Sequence, residues 1–178
     1  MDIDGKPDYK ISITDRDALR GIREKFDCIF HLAAVTSPPQ FEKDPEHGLY
    51  VNINGTFNVL DYAFRTGTRK VVIASSSAIY GDSPDISVEG NHQDAFRNLY
   101  PVTKVTDEYL ARYFSIRGDL ECVALRYFNT FGSGENTKGL YSSPIHKFLL
   151  SAMRSEDIDV YGDGTQSRDF IYIKDSVK

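Results

Sequence analysis

Three short runs of this 178-residue chain are apolar at most positions, and few folds can bury such runs. They span residues 28–33 (CIFHLA), 70–74 (KVVIA) and Glu121–Tyr127 (ECVALRY). A strand that is apolar on both faces needs cover on both faces, and a parallel sheet with helices on either side provides it. Longer amphipathic segments separate the runs, as β-α-β connections require. The predicted fold is therefore α/β, with a doubly wound parallel sheet.

Periodicity, cap residues and terminating glycines predict helices and further strands around these runs. The predicted helices are 16–26, 44–65, Leu99–Arg117 and 145–154. The additional predicted strands are 9–13, 160–161 and 170–173. The predicted breaks and loops are 37–39 with its two prolines, the polar stretch 84–97 and the glycine-rich stretch 131–139.

Small and polar residues follow three of the predicted strands where each strand ends. Ala33 and Ala34 follow the first apolar run, three serines at 75–77 follow the second, and Asn129 follows the third. In an open parallel sheet the carboxyl ends of the strands meet at one edge, which is where ligands bind. Such residues are also common in tight strand-to-helix connections, so no single run is decisive. Three such ends together predict a binding site at this edge.

A tyrosine and a lysine lie at the start of the helix that leads into the third apolar run. Tyr100 and Lys104 are four residues apart, so on a helix they share one face. An ammonium beside a phenol favours the phenolate and lowers the pKa of the tyrosine from about 10. The pair then forms a proton-transfer device for a substrate hydroxyl. Taken alone, such a spacing is more often an ordinary surface pair.

Composition restricts the classes of partner and the cellular compartment that are expected for this protein. The net charge of −5 and the pI near 5.3 argue against nucleic acid or an anionic membrane as principal partner. No apolar run approaches the roughly 18 residues of a membrane span. Cys28 and Cys122 lie in apolar runs and are interpreted as buried thiols of a cytoplasmic protein. No metal is assigned because metal-ligand spacings are missing, and His31 is interpreted as a hydrogen-bonded structural residue.

Six motifs in chain order carry a family resemblance. They are HLAA at 31–34, NINGT at 52–56, SSSAIYG at 75–81, YPVTK at 100–104, RYFNTFG at 126–132 and YGDGTQSRDFIYIKD at 161–175. Each motif alone is weak, but six in order at natural spacing cover essentially the whole chain. The sequence resembles the extended short-chain dehydrogenase/reductase family, specifically its nucleotide-sugar epimerases and dehydratases. The resemblance implies a Rossmann-like sheet and the cofactor NAD, with NADP left open.

The resemblance implies a catalytic set of Ser76, Tyr100 and Lys104. Tyr100 would take the proton from a sugar hydroxyl while hydride leaves that carbon for the nicotinamide. Lys104 would bind the nicotinamide ribose and keep the tyrosine acidic. Ser76, which is placed by aligning the segments on Tyr80 and Gly81, would share the proton and stabilise the developing oxyanion.

The resemblance also implies which residues contact the cofactor. Ala33 and Ala34 would lie against the dinucleotide, where larger side chains would displace it. Ser75 and Phe128 would lie beside it, together with Tyr100 and Lys104. Asn52 on the long helix would order the loops near the cofactor rather than take part in the chemistry.

The implied substrate is a nucleotide-diphosphate sugar, most often a UDP-sugar. Asn129 and Arg168 would hold its diphosphate, because the arginine fork pairs with two phosphate oxygens. Ser76 would contact the sugar and Tyr161 would lie near the base, although a turn-flanking aromatic is as often a packing residue.

The two positions after Ser76 favour epimerisation. Dehydratases of this family usually have Asp and Glu there, whereas this chain has Ser77 and Ala78. Oxidation of a sugar hydroxyl, rearrangement of the bound ketone and return of the hydride then form the simplest reaction, with the cofactor retained. The 4-position of a UDP-hexose is the commonest case, and residues 136–143 resemble the 4-epimerases. Heptose 6-epimerases, dehydratases and reductases of the family remain alternatives.

Two departures from the family pattern affect cofactor binding. Ser12 replaces the aspartate that usually reads the adenine amine, which predicts looser adenine recognition. The sequence has no glycine-rich pyrophosphate-binding fingerprint, so the first β-α-β unit, of about 30 residues, is expected to be missing. We therefore expect a fragment of a longer enzyme that binds dinucleotide weakly by itself; the alternative is a natural short binding protein without catalysis. The expected domains are an incomplete Rossmann domain, 1–132, and the start of a substrate-binding domain, 133–178.

A homodimer is also expected from the resemblance, because the two long helices form a four-helix interface in this family. Candidate interface residues are Val59, Tyr62, Tyr109 and Tyr113. The same side chains are equally compatible with a role in the core.

Overall fold

A three-stranded sheet organises the larger part of the chain. The computed structural model describes residues 8–36, 38–81, 96, 98–135, 143–160 and 162–178. The strands are β1 (Cys28–His31), β2 (Lys70–Ser76) and β3 (Glu121–Tyr127), in that spatial order. β1 and β2 are parallel, with Cys28 opposite Lys70 and His31 opposite Ile73. The predicted α/β class, with apolar strands in a Rossmann-like parallel sheet, is confirmed.

Helices precede and connect these strands. They are α1 (Arg16–Gly21), α2 (Pro38–Lys43), α3 (Pro45–Leu49), α4 (Gly55–Thr66) and α5 (Leu99–Arg117), with a π-helical turn at Tyr50–Asn54 and a 3-10 turn at Ser77–Tyr80. α4 ends because Gly67 takes a left-handed conformation with φ of 70°. α5 begins at its cap residue Asn98, whose Oδ1 accepts a hydrogen bond from the Tyr100 amide at 3.1 Å.

The core fixes α4 and α5 against the sheet. Its fully enclosed side chains are Leu60, Ala63, Val71, Ile73, Ala111, Phe114 and Leu120. A second cluster of Leu19, Ile22 and Tyr62 joins the α1 region to α4. Each fully buried aliphatic or aromatic side chain contributes about 1.5–3 kcal/mol. The helix that carries Tyr100 and Lys104 is thus anchored along its length.

The candidate interface residues separate into two groups. Val59 and Tyr62 are only 3% and 4% exposed, so they belong to the core. Tyr109 and Tyr113 on α5 are 58% and 47% exposed. Of the four candidates, Tyr109 and Tyr113 are therefore the two whose side chains a partner could contact.

The described residues divide into two units, Met1–Arg126 and Tyr127–Lys178. In the second unit, β4 (Asn129–Phe131) pairs in parallel with β5 (Phe170–Tyr172). α6 (Pro144–Arg154) and α7 (Ile173–Ser176) are its described helices. The predicted domain boundary at 132 stays a prediction. Across the described ranges, we find no helix with the length and apolar character needed to cross a bilayer.

Residues 9–13 do not form the predicted strand, although the predicted burial of one face of this segment is correct. Within residues 9–13 only Lys10 makes a strand-like bridge. Tyr9 and Ile11 nevertheless pack against the second cluster, and Ile13 is buried. The alternating pattern thus reports one buried face of an extended segment rather than a paired strand. The following helix α1 also ends earlier than predicted, at Gly21.

Two elements lie where breaks or loops were predicted. α2 begins with Pro38 and Pro39, because the first turn of a helix does not need the amide hydrogens that proline lacks. β4 extends into the predicted loop because it pairs with β5, a partner distant in sequence. Conversely, Val160 lies outside any strand, and Tyr161 lies outside the described residues.

Candidate active site

Tyr100 is held in place on the first turn of α5. Besides the contact of its amide with Asn98, its carbonyl accepts a hydrogen bond from Thr103 Oγ1 at 2.7 Å. Phe41 of α2, itself only 3% exposed, meets the tyrosine ring edge-on with centroids 6.1 Å apart. The half-buried phenol is therefore fixed in orientation and partly removed from water.

Ser76 lies at the end of β2, and the fold brings it against Tyr100. Its Oγ accepts a hydrogen bond from the Ala78 amide at 3.1 Å, which caps the 3-10 turn. A hydrogen bond between the Ser76 and Tyr100 side chains lowers the pKa of Tyr100. The Ser76 side chain is therefore close enough to affect the phenol, although burial outweighs it and the pKa of Tyr100 is raised overall; the shared proton and the catalytic roles stay proposals.

Lys104 lies beside Tyr100, but its charge is directed elsewhere. Its Nζ is 5.9 Å from the centroid of the tyrosine ring. The same Nζ forms a buried ion pair with Asp107 Oδ2 at 3.3 Å. Burial raises the pKa of Tyr100, the Ser76 hydrogen bond lowers it, and the charge of Asp107 raises it further. In this arrangement the Lys104 ammonium is paired with a carboxylate, and its predicted role in keeping the tyrosine acidic stays a prediction.

Asp107 is almost completely buried, at 1% exposure. Burial raises its pKa to about 6 even though the charge of Lys104 and hydrogen bonds from Thr56 and Lys104 lower it. Its Oδ1 makes no hydrogen bond of normal geometry within the described part of the chain. The carboxylate is incompletely satisfied, which explains why one lysine does not outweigh the cost of desolvation.

His31 closes the opposite side of this buried polar cluster. Its Nε2 lies 2.9 Å from Thr56 Oγ1, as expected for a hydrogen-bonded structural histidine. Burial, with a smaller contribution from the charge of Lys104, lowers the pKa of His31 to about 4. The imidazole is therefore neutral at physiological pH, and Lys104 and Asp107 carry the charges of the cluster.

Asn52 anchors the loop that follows β1. It lies in the π-helical turn and is fully buried. Its Oδ1 accepts from the Val35 amide at 2.8 Å, and its Nδ2 donates to the Val35 carbonyl at 2.9 Å and to Thr103 Oγ1 at 3.0 Å. The side chain thus links the loop to α5, an arrangement compatible with the predicted ordering role, which stays a prediction. π-helical turns often occur at functional sites, and here the wider turn places the amide inside.

Ala33 and Ala34 lie in the loop that Asn52 anchors. They end a mostly apolar groove of about 660 Å³ that runs along β1 and is also lined by Phe30 and Leu32. This volume is within the range of roughly 300–1,000 Å³ found for ligand sites. The predicted contact of Ala33 and Ala34 with a cofactor stays a prediction.

Ser75 faces a different partner from the one predicted. It is 3% exposed, and its Oγ donates to Glu108 Oε1 at 2.5 Å. Arg126 pairs with the same carboxylate through Nε at 2.9 Å and Nη2 at 2.8 Å, and with the Tyr80 hydroxyl through Nη1 at 3.1 Å. The Ser75 hydroxyl therefore serves the packing of β2 against α5 and β3. Its predicted contact with a cofactor stays a prediction.

Three of the predicted substrate residues, Asn129, Arg168 and Tyr161, lie in the second unit, as does Phe128, which was predicted to contact the cofactor. Asn129 donates from Nδ2 to the Asp169 carbonyl at 2.8 Å. Arg168 is exposed, and its Nη1 donates to the carbonyl of Ser167 at 2.7 Å. Phe128 is half-buried, and Tyr161 lies outside the described residues. The roles of these four residues stay proposals.

Three residues that shape the site were not identified from the sequence. Phe41 had no signal, since it lies on the unpredicted helix α2. Asp107 and Glu108 follow Lys104 at three and four residues, a spacing that indicates contact on a helix. No group of three His, Cys, Asp or Glu side chains suited to a metal occurs among the residues whose positions are described.

Comparison with known proteins agrees with this geometry. Residues 4–178 match the sequence profile of the NAD dependent epimerase/dehydratase family. UDP-N-acetyl-alpha-D-glucosaminuronate decarboxylase from Bacillus cytotoxicus is 32% identical over 177 residues, which cover 97% of this chain and 54% of that protein. The chain thus spans about half the length of this relative.

Two solved structures show the same fold. UDP-N-acetylglucosamine 4-epimerase from Methanobrevibacter ruminantium, in complex with UDP-N-acetylmuramic acid, has a TM-score of 0.86 and 33% identity, covering 94% of this chain and 54% of that one. A tyrosine-to-phenylalanine variant of UDP-glucuronic acid 4-epimerase from Bacillus cereus, in complex with a 4-fluoro substrate analogue and NAD, has a TM-score of 0.79 and 25% identity, covering 95% and 52%. The chain belongs to the NAD dependent epimerase/dehydratase family.

Proposed function

We propose that this chain carries the catalytic part of a nucleotide-sugar epimerase, of the kind that inverts the 4-position of a UDP-hexose. The observation that supports the proposal is that Lys104 Nζ lies 5.9 Å from the Tyr100 ring on the same face of α5, while Ser76 ends β2 and its side chain influences the pKa of Tyr100. Three side chains from the end of β2 and the start of α5 thus meet at the carboxyl edge of the sheet.

In the proposed reaction Tyr100 removes the proton of the sugar hydroxyl and later returns it. Ser76 donates its hydroxyl hydrogen to the phenolate before proton transfer; once the phenol is neutral, the same hydrogen can turn to the oxygen that becomes a carbonyl. Asn52 keeps the loop of Ala33 and Ala34 fixed beside the reacting groups. Hydride acceptance and return is the chemistry that bound NAD supplies.

The groups after Ser76 support epimerisation over dehydration. Ser77 and Ala78 form the 3-10 turn and offer no carboxyl group to expel water. We assign the sugar-nucleotide diphosphate to Asn129 and Arg168, because an exposed guanidinium is suited to phosphate. NAD rather than NADP is proposed because a related 4-epimerase structure contains NAD.

A second candidate is decarboxylation of a UDP-uronic acid, a class not weighed from the sequence. It is favoured by the 32% identity to the Bacillus cytotoxicus decarboxylase. Oxidation of a hydroxyl β to a carboxylate gives a β-keto acid that loses carbon dioxide; the enolate left behind takes a proton at the carbon that carried the carboxylate, and the hydride then returns to the ketone. The same Ser76 and Tyr100 would therefore serve either reaction.

We also propose a cytoplasmic homodimer. The free thiols Cys28 and Cys122 suit a reducing compartment. Tyr109, Tyr113 and Ile116 give α5 an exposed apolar face suited to a second copy, with Ile116 75% exposed.

The test is to incubate the natural gene product with UDP-glucose, its N-acetyl form and UDP-glucuronate and to identify the products by NMR. Epimerisation yields the 4-epimer, whereas decarboxylation releases carbon dioxide. Tyr100→Phe should lower turnover by a factor of about 100 or more while the circular dichroism spectrum is retained. Tyr109→Phe, on the exposed side of the same helix, is the matched control and should keep its activity. Near-normal turnover by Tyr100→Phe would rule out this mechanism.

A further inference from the structure

Lys104 lies between two groups that compete for its charge. Asp107 Oδ2 is 3.3 Å from its Nζ, and the centroid of the Tyr100 ring is 5.9 Å away. The lysine and aspartate side chains are 5% and 2% exposed, so water screens their interaction little. A buried ammonium favours the partner that offers a full negative charge at hydrogen-bonding distance. In this arrangement that partner is the carboxylate.

The surroundings of Asp107 leave Lys104 as its principal cationic partner. His31 on β1 is neutral, and Thr56 on α4 contributes a hydroxyl that lies 2.9 Å from the histidine. Glu108, the next residue on α5, is negative and is itself paired with Arg126. Asp107 Oδ1 makes no hydrogen bond of normal geometry among the described residues.

We propose that Asp107 is a positioning residue that holds the Lys104 ammonium in the buried cluster and so limits how strongly this lysine can activate Tyr100. The assignment of Tyr100 as the base rests on the proposed function, but the contacts among the three side chains do not depend on it. An ionised Asp107 acts against the phenolate in two ways: it occupies the lysine, and its own charge repels the phenolate. A protonated Asp107 does neither.

Through this coupling, the pKa of Tyr100 depends on whether Asp107 is protonated. Burial raises the pKa of Asp107 to about 6, so the carboxyl changes state close to neutral pH. The charge of Asp107 is also one of the causes that raise the pKa of Tyr100. Removing that charge while keeping the shape of the side chain should make the tyrosine more acidic.

The test follows the phenol directly by NMR of the chain labelled with tyrosine that carries 13C at Cζ. Tyr100→Phe identifies the resonance by its loss. In Asp107→Asn the pKa of Tyr100 should fall by about half to one unit, as expected for removal of a nearby like charge. Asp61→Asn is the matched control. Asp61 on α4 is ion-paired to Arg16 of α1 and Arg65 of α4, so its replacement should leave the titration of Tyr100 unchanged. An unchanged or higher pKa in Asp107→Asn would overturn the proposal.

The unsubstituted chain gives a second measurement should Asp107→Asn fail to fold. Its Tyr100 resonance should move first near pH 6, as Asp107 ionises, and again when the phenol itself titrates. A single step would overturn the proposal. In the natural gene product, the acid limb of the pH–kcat profile should move to lower pH in Asp107→Asn. Absence of any epimerase turnover would count against the proposed function alone, since the NMR titration does not require catalysis.

Discussion

Replacing Asn52 by alanine is expected to loosen the loop that carries Ala33 and Ala34. The Asn52 side chain is fully buried and makes three hydrogen bonds, two with the backbone of Val35 and one with Thr103. At about 1 kcal/mol for each hydrogen bond, their loss costs about 3 kcal/mol, in addition to the effect of the smaller side chain.

Asn58→Ala provides the matched control. Asn58 lies further along the same helical run, is 7% exposed and donates one hydrogen bond, to the Ile13 carbonyl at 3.0 Å. The same atoms are removed in both variants, so the loss of side-chain volume largely cancels. The difference of two hydrogen bonds predicts that Asn52→Ala is less stable than Asn58→Ala by about 2 kcal/mol. This corresponds to about 4–8 °C in Tm for a chain of this size.

Urea unfolding followed by circular dichroism measures the difference, and amide hydrogen exchange locates it. Asn52 Oδ1 accepts the hydrogen bond from the Val35 amide. Under conditions that report local opening, this amide should therefore exchange faster in Asn52→Ala, and its exchange rate should be unchanged in Asn58→Ala. Equal destabilisation of the two variants, together with a protected Val35 amide, would refute the assigned anchoring role.

Two further predictions concern titratable side chains that are buried or partly buried. Glu108→Gln should destabilise the fold by about 1.5–3 kcal/mol, because it removes the charge that pairs with both Nε and Nη2 of Arg126; urea unfolding measures this, and a change below about 0.5 kcal/mol would contradict it. His31 has its pKa lowered from 6.5 to about 4, so its contribution to stability is present above pH 6.5 and is lost as the pH falls towards 4. Relative to His31→Asn, the wild-type chain should therefore lose about 3 kcal/mol between pH 7 and pH 4, and a difference independent of pH would show that the imidazole is not buried in its neutral form.

Local signals predicted the elements that carry the proposed catalytic residues. α5 has the predicted bounds because Asn98 caps it and Gly118 follows it. β3 also has its predicted bounds, since an apolar run between polar turns can scarcely form anything else. The meeting of Ser76 and Tyr100 followed from topology, because the ends of parallel strands share one edge.

Elements that depend on distant partners could not be predicted in the same way. β4 exists through its pairing with β5 and has no distinctive composition. α2 was hidden by its two prolines, which usually indicate a break but are compatible with a helix start. Because α2 was not predicted, the contact between Phe41 and the Tyr100 ring could not be predicted either.

The electrostatic surroundings of Tyr100 depend on a residue that the Tyr-Lys spacing does not include. The i,i+4 rule correctly placed Lys104 on the face of Tyr100, but the same rule places Asp107 one turn beyond the lysine. The effect of the Lys104 charge on the phenol is weakened by any nearer negative charge. The buried Asp107 carboxylate, 3.3 Å from the Lys104 ammonium, therefore offsets most of that effect. Desolvation of the phenol then decides the sign. A motif that names the tyrosine and the lysine therefore predicts which groups meet, whereas the residue at the next turn determines how readily the base is formed.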